Sequence, residues 1–118
     1  MINGRTKGHS FEREVACLLR KLYPTARRGL QYQDGNVCAD VVNTPFHVEC
    51  KRGRRVQIQK AMQQAERDMK KGDVPVVISK QDRDSILVTM RYEDWIELVR
   101  DHPIVCNVDS SLKSVDLE

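Results

Sequence analysis

Twelve consecutive residues constrain this chain most: Asp40-Val41-Val42-Asn43-Thr44-Pro45-Phe46-His47-Val48-Glu49-Cys50-Lys51. Two β-favouring runs, residues 39–42 and 46–51, flank the turn formers Asn43, Thr44 and Pro45, which predicts a hairpin. Side chains alternate along a strand, so Phe46, Val48 and Cys50 share the buried face and His47, Glu49 and Lys51 the other. Glu49 and Lys51 then stand roughly 6.5–7 Å apart along the strand. Register supplies a third group. With a loop of two residues (44–45) or of four (43–46), residue 40 sits opposite residue 49. Proline is awkward at the second position of a tight turn, which favours the four-residue loop. Asp40 and Glu49 thereby become cross-strand neighbours, with Cβ atoms about 4.5–5.5 Å apart. Two carboxylates that close repel each other and gain from a divalent cation between them; a hard, oxygen-lined site of this kind suits Mg²⁺. Lys51 adds a positive charge beside it, able to hold a water or meet developing negative charge. An Asp…Glu-x-Lys spacing on its own equally describes the polar face of an ordinary surface hairpin, so the rest of the chain has to decide.

With 118 residues, the chain is expected to form a single domain, residues 1–118, with a core over about 7–100 and a C-terminal tail at 104–118. No apolar run approaches membrane-spanning length and no leader precedes the first helix, so a cytoplasmic protein without membrane attachment is expected. The net charge is only +3, yet the cations cluster at Arg20-Lys21, Arg27-Arg28, Lys51-Arg52, Arg54-Arg55 and Lys70-Lys71. Local basic surface on a nearly neutral chain fits phosphate contact better than general adhesion. The four cysteines (17, 38, 50 and 106) lack C-x-x-C spacing and read as reduced thiols rather than a zinc site or a disulfide framework.

Residues 1–9 read as a flexible polar entry, and Ser10 as the N-cap of a first helix. That helix carries Phe11, Val15, Leu18, Leu19 and Leu22 on one stripe and ends near Tyr23-Pro24. Glu12 and Glu14 flank the stripe on opposite sides, and periodicity does not choose between them. Residues 25–37 read as an irregular strand or loop that delivers Arg27 and Arg28 to the hairpin. A second helix follows from Ile58, Ala61, Met62, Ala65 and Met69, closed by Lys70-Lys71-Gly72, with Gln59, Gln63 and Gln64 on its flank. Strands are expected at 74–80 and 85–90, apolar on both faces and covered by helices. A third helix, 92–100, has Trp95, Ile96 and Val99 as its core face and stops at Pro103. Residues 104–106 suggest an edge strand or a dimer contact. The resulting order, α-β-β-β-α-β-β-α, predicts an α/β fold with a central mixed sheet flanked by helices.

Taken jointly, Lys7-Gly8-x-x-Phe11-Glu12-Arg13-Glu14, Arg27/Arg28, Asp40, Glu49-Cys50-Lys51, the glutamine-bearing helix and Pro75-Val76-Val77-Ile78 resemble the PD-(D/E)xK nuclease superfamily. Within it, the chain is most similar to archaeal-type Holliday junction resolvases and the small resolvase-like nucleases of bacteriophages. The resemblance spans residues 7–100 and implies a restriction-endonuclease-like core. It implies that Asp40 and Glu49 ligate metal with the Cys50 backbone carbonyl, that Glu12 assists as a further ligand or positions water, and that Lys51 is the catalytic lysine. It further implies Lys7, Arg27, Arg28, Arg52, Arg54 and Arg55 as DNA contacts, with Gln64 near the site. Ala39 stands where the motif's proline would be, and Glu14 could replace Glu12 if the helix is rotated. The expectation is phosphodiester hydrolysis with Mg²⁺, for which Mn²⁺ could substitute. The expected substrate is DNA, a branched or four-way junction above all, cut by a homodimer. A nicking, flap or less specific endonuclease of the same fold, and a non-catalytic DNA-binding module, remain as alternatives.

Overall fold

The computed structural model describes residues 4–30, 32–33, 36–100 and 102, with the side chains of 4–7, 32–33 and 36–37 left out. Its centre is the longest strand of the hairpin, β5 (Phe46–Gly53), which follows α1 (Gly4–Leu19), β1 (Arg27–Arg28), β2 (Tyr32–Gln33), β3 (Asn36–Val37) and β4 (Val41–Val42). After it come α2 (Ile58–Asp68), β6 (Val74–Gln81), β7 (Leu87–Met90) and α3 (Tyr92–Val99). One five-stranded sheet has the order β1-β4-β5-β6-β7, while β2 and β3 pair separately with each other. β5 and β6 are parallel because α2 carries the chain back over the sheet between them, and the other pairs in the sheet are antiparallel. The mixed sheet and its flanking helices are the predicted α/β class.

The hairpin has the expected register. Val41 lies opposite Val48, and the amide of Asp40 donates to the Val48 carbonyl at 2.8 Å. Asn43 takes the left-handed backbone (φ 67°) that the four-residue loop needs, its amide nitrogen donating to the Thr25 carbonyl at 2.9 Å.

Packing departs from the sequence reading in three places. On β5, not only Val48 but also His47 and Glu49 are buried, the latter two with 4 % and 5 % exposure. A hairpin read alone suggests a wet polar face, but α2 lies over it, with Ala61 and Met62 against Val77. Burial lowers the pKa of His47, against the opposing pull of Asp73 and Asp68, and its Nε2 has no hydrogen-bond partner among the described residues. The other face carries the larger core, in which Phe11, Val15 and Ala16 of α1 pack on Val41, Val48, Val76 and Ile78.

The first helix differs too. It begins at Gly4, so residues 4–9 are helical rather than a flexible entry, and Ser10 lies inside the helix instead of capping it. Its buried stripe is Phe11, Val15 and Ala16. Leu18 is exposed, and Leu22 falls beyond the last helical turn and is exposed as well, because the chain turns away at Arg20 to reach β1. The third departure is at the far edge. β7 and α3 are only partly covered: Met90 packs on the core, but Leu87, Val88, Tyr92, Trp95 and Leu98 are all exposed, and α3 has no buried residue. Periodicity marks an apolar face but does not say what covers it. α3 is tied to α2 by the Arg91–Glu66 ion pair at 2.6 Å.

The region read as an irregular strand or loop resolves into β1 and the β2–β3 pair. α2 ends at Asp68, short of the expected Gly72, which sits in the following turn at φ 94°. The possible edge strand or dimer contact at 104–106 lies outside the described residues. No disulfide joins Cys17, Cys38 or Cys50, and Cys17 is exposed. No described helix is long and apolar enough to cross a membrane.

Candidate active site

Where β4 enters the hairpin, the chain is pinned by backbone. The Gly29 amide donates to the Asp40 carbonyl at 2.8 Å, drawing the end of β1 against residues 39–40. The Asp40 side chain is fixed from the other side, its Oδ2 accepting from the Cys50 amide at 2.8 Å. Asp40 therefore occupies the position that hairpin arithmetic assigned to it, beside Glu49. On β5, Lys51 Nζ lies 3.6 Å from Glu49 Oε1 and donates to Gln64 Oε1 of α2 at 3.1 Å.

Glu12, Asp40 and Glu49 line one cavity of about 420 Å³, together with Arg28, Gln64 and Asp68. Of the two acids on the first helix, Glu12 lines the cavity while Glu14 is exposed. Glu12 does not stand free there, because Arg28 Nε donates to its Oε2 at 2.8 Å. Of the two arginines, then, Arg28 reaches the site and Arg27 is exposed outside it. Lys7 lies early on α1, its side chain outside the described residues. Arg54 is exposed in the turn after β5, and Arg52 and Arg55 line a neighbouring cavity.

Two members of the acidic cavity escaped the sequence reading. Asp68 follows Gln64 by four residues on α2, hence on the same helix face, and that spacing was the available signal. His9 lines the cavity from α1, which was legible only if the helix began before Ser10.

The electrostatics follow from this crowding. Burial and, after it, the neighbouring Asp40 charge raise the pKa of Glu49 to about 7, against the opposing pull of Lys51. Burial likewise raises that of Asp40 to about 6, partly offset by the Cys50 hydrogen bond, with Glu12 adding to the rise. Burial also pushes the Cys50 thiol far up, so it is neutral. A pair of carboxylates that resist ionising side by side is the donor chemistry a small divalent cation relieves. Among the described residues, no three His, Cys, Asp or Glu side chains close around a point. Glu12, committed to Arg28, does not complete such a set. Asp40 and Glu49, with the Cys50 carbonyl, are the residues that could hold a metal, leaving the remaining positions to water or phosphate, as Mg²⁺ favours.

A consequence for stability can be measured. Glu49 has a folded pKa above its unfolded value, so its stabilising contribution is full below about 4.5 and lost as pH rises through about 7. The metal-free protein should therefore weaken between pH 5 and 8. Glu49→Gln should flatten that decline and raise stability at pH 8 by on the order of 1–2 kcal/mol. Urea unfolding in chelator across this range checks it; parallel curves for the two proteins would refute the repulsion.

An acid at the entry of one strand, Glu-x-Lys on the central strand, a helix-borne acid and a helix-borne glutamine, all on a mixed α/β sheet, define the PD-(D/E)xK class of nuclease. Residues 3–115 match the family described as "Phage putative PDDEXK endonuclease", and the chain belongs to that family. Membership implies nuclease chemistry, with DNA as the substrate. No curated protein and no solved structure matches the chain.

Proposed function

We propose that the protein is a metal-dependent, structure-specific DNA endonuclease that hydrolyses phosphodiester bonds at branched DNA, in particular four-way junctions, in the cytoplasm. The observation that supports this best is that Asp40, Glu49 and Gln64 line one cavity, with Lys51 reaching both Glu49, at 3.6 Å, and Gln64, at 3.1 Å. Mg²⁺ or Mn²⁺, held by Asp40, Glu49 and the Cys50 carbonyl, would supply charge to the phosphate oxygens and acidify a water. Lys51 is placed to donate to a phosphate oxygen or to the attacking water, and Gln64 holds its ammonium in place. Arg28 orients Glu12 and, with Arg52, Arg54 and Arg55, contacts backbone phosphates without reading bases.

Cleavage of junction, flap, nicked and linear duplex DNA, with Mg²⁺ and with chelator, tests the reading. Junction-selective, chelator-sensitive cutting is expected. Preference for flaps or nicks would move the specificity within the same fold, and binding without cutting on any substrate would make it a DNA-binding module.

Paired cuts in a four-way junction suit a two-fold dimer. The edge of β7, unpaired among the described residues, and the exposed Leu87, Val88, Tyr92, Trp95 and Leu98 offer a surface that a second copy could cover, since an edge strand can pair antiparallel with itself across a two-fold axis. Trp95→Glu should then raise the dimer dissociation constant at least about tenfold. Sedimentation velocity over a concentration series reads this, and a wild-type monomer at all concentrations would overturn the dimer.

A further inference from the structure

Beyond the acidic cavity lies a second one, of about 250 Å³, whose lining includes Lys51, Arg52, Arg55, Lys60, Gln57 and Gln64. Four of these side chains are cationic and no carboxylate lines it. The two cavities share Gln64 and adjoin through the 3.6 Å contact between Glu49 and Lys51. Among the described residues, no ion pair joins a carboxylate to Arg52, Arg55 or Lys60. Arg52 also faces Lys80 across the β5–β6 pairing, a further like charge without compensation. Basic residues whose purpose is solvation are normally scattered; here they ring one concavity against the site. Lys60, moreover, sits in the first turn of α2, where a cation opposes the helix dipole, and no acid occupies that turn. An anion in the cavity would relieve each of these repulsions at once.

We propose that this cavity seats a non-scissile phosphate of the same DNA strand, so that the strand crosses from carboxylates to cations with the scissile group over Asp40 and Glu49. The inference rests on the nuclease reading and adds to it a substrate requirement: a phosphodiester at a fixed offset from the cut. Gln64, common to both cavities, and Lys51, which contacts Glu49 from the basic one, set that offset. The same asymmetry gives the strand a direction through the site, since acids lie on one side of Lys51 and cations on the other.

The test compares the wild type with the double variant Arg55→Ala/Lys60→Ala. Both side chains are exposed, so the thermal melt should be unchanged. Cleavage of a series of otherwise identical substrates, each carrying one uncharged methylphosphonate in the cut strand, should show one position away from the cut where neutralisation raises the wild-type KM about tenfold. At that position the double variant should be indifferent, having already lost the interaction. Binding with Ca²⁺ in place of Mg²⁺ should show the salt dependence of log K falling by about 0.9 per lost phosphate contact on duplex. A double variant that keeps both the wild-type salt slope and the wild-type methylphosphonate profile overturns the seat, even if cleavage is robust. Should the wild type bind DNA but cut nothing, the catalytic reading falls, and a lowered slope in the variant would still support the seat.

Discussion

Replacing Lys51 or Glu49 by alanine is expected to reduce cleavage by roughly 10³-fold or more while leaving DNA binding within a few-fold of wild type. Lys51 touches both Glu49 and Gln64, 3.6 Å from the Glu49 carboxylate and 3.1 Å from the Gln64 carbonyl oxygen. Its ammonium is thus held beside Glu49 without being consumed by a tight ion pair. Alanine removes the charge that would meet a phosphate oxygen, and the basic cavity beside it still supplies Arg52, Arg55 and Lys60 for backbone contact. Glu49→Ala removes half of the buried carboxylate pair, and Asp40 alone is a weak seat for a divalent ion. It also removes the repulsion that opposes folding at neutral pH, so loss of cutting should come without loss of stability. Arg28→Ala should have a smaller effect, since it acts through the orientation of Glu12. Single-turnover cleavage of a labelled junction, alongside binding by fluorescence anisotropy, reads both quantities. Cutting at wild-type rate by either alanine variant would remove this site from consideration.

The second large effect is expected from one methyl group. In Gly29→Ala, the new Cβ would lie 2.0 Å from the Ala39 carbonyl oxygen and 3.1 Å from both Cys38 Sγ and Val42 Cγ1. The first of these neighbours is backbone and cannot swing aside, so β1 must move away from residues 39–42. That movement stretches the Gly29–Asp40 backbone hydrogen bond and withdraws Arg28, the preceding residue, from Glu12. We expect a loss of about 3 kcal/mol in unfolding free energy, from overpacking together with a strained buried hydrogen bond. Cleavage should fall as well, because Asp40 hangs on that same segment. Urea denaturation at pH 7 measures the first and the junction assay the second. A variant within about 0.5 kcal/mol of wild type would mean the close approach of β1 is not needed.

Much of the site could be read before any coordinates. The approach of Asp40 to Glu49 was expected from loop length and the two-residue period of a strand, and the hairpin register at Val41 and Val48 agrees with it because turns and alternation are local. The stripe of α2, with Ala61, Met62 and Ala65 inward, is local for the same reason, and so is the placement of Gln64 on its flank. Glu12 against Glu14 was open in the sequence, since a helix wheel shows two flanks but not which one meets the sheet edge; Arg28 on β1 decides it.

What the chain order determined by itself is the α/β class with its three helices and main strands, the hairpin and the carboxylate pair, each governed by interactions within a few residues. Only the tertiary structure decided what covers each face. The α2 crossover buries His47 and Glu49, brings Asp68 into the site and lifts the carboxylate pKa values, while β7 and α3, of equally apolar pattern, stay largely exposed. Periodicity records that a face is apolar or polar; which neighbour arrives to cover it depends on contacts between segments far apart in the chain, and no local pattern encodes them.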